Sequence, residues 1–148
     1  MDYRSADSAD LPRLAAMNRA LIEDEGAANR MSLGELEARM RGWLAGEYRA
    51  VIFEIDGAPV GYALFRPDES GVHLRQLFVD RAHRRQGLGR EALRRLQAEL
   101  WPAGARISVE VLVGNARGLA FWRAVGFADH AITLTSTPKP AGGGGGSA

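Results

Sequence analysis

Cysteine is missing from all 148 residues, and lysine occurs only once, at Lys139. Without cysteine there can be no disulfide scaffold, no thiolate zinc site, and no Cys nucleophile or acyl-Cys intermediate; a reducing compartment is compatible with this. Long apolar runs are missing too: none approaches the roughly 18 residues that cross a bilayer. The opening MDYRSADSAD is too acidic and polar for a signal peptide. We therefore expect a soluble, cytoplasmic protein with no membrane partner and no metal site. Eighteen arginines against one lysine is partly a matter of composition, so the arginine count is weak evidence for nucleic acid. Arg81, Arg84, Arg85, Arg90, Arg94 and Arg95 could form a phosphate track. Few aromatics accompany them, however, and no nucleic-acid partner is expected.

The net charge of +1 conceals a division. Residues 1–70 carry a net −5 and residues 71–148 a net +6, so the two halves could serve different ligands. The length suits one domain with one core. A short strand at 2–5 is followed by helices near 9–25 and 32–45, the second opened by the capping-box pattern Ser32-Leu-Gly-Glu35. VIFEIDGAPVGYALF reads as a hairpin turning at Asp56-Gly57. In VHLRQLFV, Val72 and Leu74 share one parity while Leu77 and Val79 have the other. One extra residue near Arg75-Gln76 would restore a single apolar face, so a β-bulge is expected there. The helix from about Gly89 presents Leu93, Leu96 and Leu100 as its buried stripe and stops before Pro102. ISVEVLV is expected as a strand over 107–113. Asn115 is a candidate N-cap for a helix to Val125, and a last strand is expected near 127–136. Residues 138–148, PKPAGGGGGSA, read as a flexible tail or linker appended to a domain of residues 1–137.

In RRQGLGREALRRLQAEL, residues 84–100, two arginines and two glycines stand directly before a helix. Glycine exposes backbone N–H groups, and a helix N-terminus carries partial positive charge. The junction is therefore an anion site of the kind that takes a phosphate.

The segment LFVDRAHRRQGLGREAL resembles the acetyl-CoA signature of the GNAT superfamily of N-acetyltransferases. Its Gln/Arg-x-x-Gly-x-Gly/Ala core appears as Arg84-Arg85-Gln86-Gly87-Leu88-Gly89. NARGLAFWRAVGF resembles the second signature, with Asn115, Gly126 and Phe127 in place, and the likeness runs from residue 1 to about 136. It implies an α/β (α+β) GNAT fold: a mixed, mostly antiparallel sheet of about six strands flanked by four helices, in the order β-α-α-β-β-β-α-β-α-β. It also implies acetyl-CoA as cofactor and an amine as acceptor, with the protein a monomer or homodimer. The pyrophosphate would lie on Arg84, Arg85, Gln86, Gly87, Leu88, Gly89 and Arg90. Leu77, Phe78 and Val79 would hydrogen-bond the pantetheine amides, with Asn115 and Trp122 alongside.

The family's usual mechanism is direct attack by an amine on the thioester, with a base taking the ammonium proton and a tyrosine protonating the thiolate. Here Trp122 stands where that tyrosine would be, and an indole N–H does not supply a proton at neutral pH. Tyr48 and Tyr62 are the fallback candidates. For the base, Arg75 and Gln76 occupy a position where some relatives have acids. Glu110 is a candidate, His73 reads better as structural, and a water-mediated base is the default. In this fold the loop between the first two helices borders the acceptor site, so Glu23, Asp24 and Glu25 are candidate contacts for a small cationic amine. A protein N-terminus or lysine is the alternative acceptor, and a catalytically silent acyl-CoA sensor the alternative role.

Overall fold

The structure is a computed structural model and describes residues 1–138; the stretch 139–148, most of the expected tail, lies outside the described residues. The chain opens with strand β1 (Asp2–Ser5), then helices α1 (Leu11–Glu25) and α2 (Leu33–Ala45). Strands β2 (Arg49–Ile55), β3 (Ala58–Pro67) and β4 (Gly71–Val79) follow, then α3 (Leu88–Arg95), β5 (Arg106–Ser108) and α4 (Ala116–Ala124). Five strands form one sheet in the order β1-β2-β3-β4-β5; all neighbours are antiparallel except β4 and β5, which are parallel.

Local signals in the chain set most of these boundaries. Ser32 Oγ accepts from the Glu35 N–H at 3.1 Å while Glu35 Oε1 accepts from the Ser32 N–H at 2.9 Å, so the expected capping box closes α2 at its N-terminus. Asp56 and Gly57 take φ of 52° and 78°, the turn that joins β2 to β3. Asp10 joins β1 to α1 by taking both arms of Arg4, at 2.7 and 2.8 Å. That hydrogen bonding holds its carboxyl down to about 2.

Each face of the sheet buries its own cluster. Val51, Phe53, Ala63, Phe65, Val72 and Leu74 pack against Ala92, Leu93 and Leu96 of α3 and its continuation; Ile52, Tyr62, Leu64 and Phe78 pack against α1 and α2. The bulge lies where the parity of β4 requires it. Leu64 pairs with Gln76 and Phe65 with Leu74, leaving Arg75 without a partner. Leu74 thereby joins one cluster and Phe78 the other.

Three expectations need correction. Leu100 is 38% exposed, because the chain from Leu96 to Leu100 makes a π turn in which the Trp101 N–H bonds Leu96 O at 2.8 Å. The extra residue per turn rotates Leu100 outward and brings Trp101 into the core, 5.4 Å from the Phe65 ring. The strand expected over 107–113 is regular only from Arg106 to Ser108, and no strand forms at 127–136, so the sheet has five strands rather than six. Leu112, Val113, Ile132 and Leu134 are exposed by 59–90%. The alternation of Ile107, Val109, Val111 and Val113 supplies propensity, but beyond Ser108 no neighbouring strand pairs with it among the described residues.

The β4–β5 seam consists of three pairs, Gly71 with Arg106, Val72 with Ile107 and His73 with Ser108. At its start the two backbones approach closely: a Cβ on Gly71, whose φ is +153°, would lie 2.3 Å from Arg106 O. We expect Gly71→Ala to destabilise the fold by about 2–4 kcal/mol, since strain and a backbone clash coincide. A urea midpoint equal to that of the parent would show that the seam can absorb a methyl group.

Candidate functional site

Beyond His73 and Ser108 the two parallel strands part. Residues 74–79 of β4 keep β3 on one edge, while along the other edge no strand is paired among the described residues. A strand edge of this kind presents free N–H and C=O groups to any extended ligand that carries amides.

The open edge leads to the N-terminus of α3. Arg85 and Gly87 take φ of 65° and 72°, and Gly87 caps the helix with no side-chain hydrogen bond. The first loop-to-helix bond is the Glu91 N–H to Gly87 O at 3.0 Å. The backbone N–H groups of residues 85–90 have no acceptor among the described residues. Unpaired donors, positive-φ turns and the helix dipole together form an anion cradle. A cavity of about 410 Å³ opens there, lined by Arg81, Arg84, Arg85 and Arg117. A Cβ on Gly87 would touch nothing within 4 Å, so that face of the loop is open. Gly89 has another use: a Cβ there would lie 3.1 Å from the Phe121 ring, so its bare backbone seats α4 against α3.

The four arginines are not equivalent. Arg84 is half-buried; its guanidinium pairs with Asp24 and donates from Nε to Val79 O at 3.1 Å. Arg81 also reaches Asp24, at 3.2 Å. Arg85 and Arg117 are exposed and form no ion pair among the described residues, so they carry the charge available to an anion. Arg117 lay outside the sequence expectation. It sits two residues after Asn115, whose Oδ1 caps α4 by accepting from the Gly118 N–H at 3.0 Å. Placing the first turn of α4 beside that of α3 would have revealed it. Arg90 donates to Ala124 O at 3.4 Å, and Arg94 pairs with Glu91 within its own helix.

At the far end of the open edge, the bulge turns Gln76 toward α1 and α2. There the Tyr62 hydroxyl, in a fully buried side chain, donates to Gln76 Oε1 at 2.7 Å. Burial raises the Tyr62 phenol far above its ordinary value, so it is a poor proton donor to a thiolate. Tyr48 accepts from Arg66 at 3.3 Å and from Arg75 at 3.4 Å. The acids at the end of α1 divide in role. Glu23 is exposed and Asp24 is held by Arg81 and Arg84. Glu25 is half-buried, and its carboxyl is raised by burial and then by the charge of Asp24. Its charge adds to burial in raising the Tyr62 phenol. Glu110 is exposed on the arm that leaves the sheet and makes no hydrogen bond among the described residues. His73 contacts Ser108 Oγ at 3.1 Å across the seam, a structural place. Trp122 lies between Phe121 and Phe127, with ring centroids at 5.1 and 5.0 Å. Among the described residues no group of three or more His, Cys, Asp or Glu could hold a metal ion.

A family model described as "Acetyltransferase (GNAT) family" matches residues 15–127. The chain belongs to that family. Solved structures share the GNAT fold at low identity. A possible acetyltransferase from Clostridium difficile 630 has a TM-score of 0.74 at 13% identity, covering 94% of this chain and 97% of that one. The aminoglycoside antibiotic 6'-N-acetyltransferase from Acinetobacter haemolyticus has a TM-score of 0.73 at 16% identity, with coverages of 95% and 99%. A predicted acetyltransferase from Clostridium acetobutylicum, solved with acetyl-CoA, has a TM-score of 0.69 at 21% identity, with coverages of 91% and 94%. No curated protein matches the chain.

Asp24 joins the acidic end of α1 to the basic loop of the GNAT domain through Arg81 and Arg84. Asp24→Asn should lower stability by about 1–2 kcal/mol, because it leaves the half-buried Arg84 without its countercharge. Amide exchange should accelerate in residues 80–85 above all. Exchange unchanged in that loop would mean that Val79 O alone holds Arg84.

Proposed function

We propose that this GNAT protein transfers an acetyl group from acetyl-CoA to the primary amine of a small molecule. The observation that carries the reading is the continuity of the site: a six-amide, arginine-lined anion cradle runs directly into an unpaired strand edge. A pyrophosphate followed by a pantetheine arm with two amides matches that order of groups. Arg85, Arg117 and the N–H groups of residues 85–90 would hold the phosphates. The free edge at Leu77, Phe78 and Val79 would take the amides, directing the acetyl end toward the bulge. Asn115 caps α4 and Trp122 lies on it, the helix seated against α3 beside this path.

Bound there, acetyl-CoA supplies a thioester carbonyl; the amine nitrogen forms the C–N bond as the C–S bond breaks and the thiolate leaves. A primary amine is mostly protonated at neutral pH and must lose a proton before it can attack. Glu25 is the residue best placed to take it, with a half-buried carboxyl raised toward the range in which a carboxylate is an effective base. The ionised Glu25 also draws the ammonium toward the bulge. Glu23 adds charge at the mouth, while Asp24 is already neutralised by arginine. Glu110, exposed and unsupported, is the weaker choice of base. The second amine proton goes to solvent, and with no tyrosine donor at Trp122 the thiolate is protonated from water.

Trp122 also favours a second reading, an acyl-CoA sensor without turnover, because its indole is packed between two aromatic rings where a proton donor would stand. A screen of amines with acetyl-CoA, read by release of the coenzyme A thiol, separates the two.

Two variants test the assignments. Gly87→Asp adds a like charge at an open, positive-φ position that aspartate tolerates better than most residues. It should stay folded yet lose acetyl-CoA binding by calorimetry; an unchanged dissociation constant in the folded variant removes the cradle. Glu25→Gln should lower kcat about a hundredfold with acetyl-CoA affinity intact. In the parent, kcat/KM should climb as pH rises through the elevated Glu25 value, since the base acts only when ionised. A full-activity Glu25→Gln enzyme would return the proton to water.

A further inference from the structure

We propose that the acceptor bears a carboxylate in addition to its amine, and that Arg39 and Arg75, set around Trp43 beside Tyr48, bind that carboxylate. The inference rests on the acetyl-transfer reading and names the class of acceptor: a small amino acid or similar zwitterion.

Next to Tyr62 and Gln76, on the α2 side of the bulge, the surface is cationic and aromatic. The guanidinium carbons of Arg39 and Arg75 lie 4.5 and 4.6 Å from the Trp43 ring centroid, and those of Arg66 and Arg75 lie 5.8 and 5.9 Å from that of Tyr48. None of these three arginines is within 4.0 Å of a carboxylate among the described residues. A cation over tryptophan is worth about 0.5–2 kcal/mol and explains one stacked arginine. The second brings like charge to the same ring with no counterion to offset it.

Two buried groups also have no hydrogen-bond partner among the described residues. Arg39 donates one arm to Asn18 Oδ1 at 3.1 Å, but its Nε is buried and unpaired. Asn18 is fully buried on α1, and its Nδ2 likewise has no partner. Native proteins rarely leave such donors unmet, and a guanidinium with a free Nε is suited to bidentate recognition of a carboxylate. The bulge is the reason Arg75 can take part: the residue without a β3 partner is the one that reaches over Trp43 and Tyr48. With Glu25, half-buried at the end of α1, as the ammonium partner, the two ends of a zwitterion would each meet an opposite charge.

The test uses matched sets of acceptors: an α-amino acid, its carboxamide and its decarboxylated amine, each with saturating acetyl-CoA and with thiol release as readout. The amino acid should exceed the other two in kcat/KM by about tenfold to a hundredfold, mostly through KM. Arg75 is exposed, so Arg75→Gln should fold normally; it should abolish that preference while leaving the carboxamide unaffected. Arg41→Gln, on α2 with Arg39 but paired with Glu37, should change neither. A parent enzyme indifferent to the carboxylate, or an Arg75→Gln enzyme that retains the preference, overturns the proposal. If no amine at all is acetylated, the transfer reading fails separately. Calorimetry of the amino acid into the coenzyme A complex then decides the site: binding that Arg75→Gln loses upholds it, and absence of binding overturns it.

Discussion

Arg75 has no partner on β3, and much of the site follows from that one unpaired residue. A strand two-sided throughout could not send Leu74 into the α3 cluster and Phe78 into the α1–α2 cluster while also keeping Val72 and Leu77 on the α3 side. The inserted residue changes the parity, and each half of β4 then buries its apolar residues correctly. Burial of one large aliphatic side chain is worth about 1.5–3 kcal/mol, so a register without the bulge would expose several such residues together. The site inherits this geometry. Gln76 is presented to Tyr62, Arg75 is released toward Trp43, and the other edge of the strand stays unpaired past His73.

The division of charge along the chain has two consequences in the fold. It supplies a basic cradle for an anion, and it also joins the halves, since Asp24 at the end of α1 holds Arg84 and Arg81 in the loop before α3. Arg84 therefore acts by placing the loop: its guanidinium bridges Asp24 at the end of α1 and Val79 O at the end of β4. The backbone donors of residues 85–90 meet no acceptor among the described residues, whereas Asp7, Ser32 and Asn115 each cap the turn or helix they precede.

Features governed by residues close in sequence were legible. The capping box at Ser32 and Glu35, the Asp56-Gly57 turn, the bulge parity and the glycine-rich loop each depend on neighbours within a few positions. Features governed by distant partners were not. Nothing local distinguishes Leu100 from Leu96, and only the i to i+5 bond at Trp101 reveals that the helix widens. The strand expected over 107–113, which stops at Ser108, and the one expected at 127–136 have apolar residues in a strand-like pattern, but a strand needs a partner as well as a pattern. Arg117 joins the cradle only once α3 and α4 lie side by side. Asp24 and Glu25 are adjacent in sequence and similar in chemistry, yet the first is taken up by arginine and the second is left half-buried with a raised carboxyl, a difference that sequence adjacency does not show.

That difference bears on how the site separates chemistry from selection. Desolvation raises Glu25 and lowers the charge tolerance of Arg39, so the same burial that makes a carboxylate a better base makes a nearby guanidinium less comfortable without an anion. The two groups belong to different helices, Glu25 to α1 and Arg39 to α2. A ligand with both charges relieves both, while a simple amine relieves only one and leaves Arg39 and Arg75 repelling each other. The open edge of β4 and the cradle at α3 have no such preference, since phosphates and amides are recognised there largely by backbone. On the proposed reading, cofactor binding would rest on main-chain geometry that many sequences can build, and acceptor choice on a few side chains around one bulge, where substitution would change specificity without disturbing the fold.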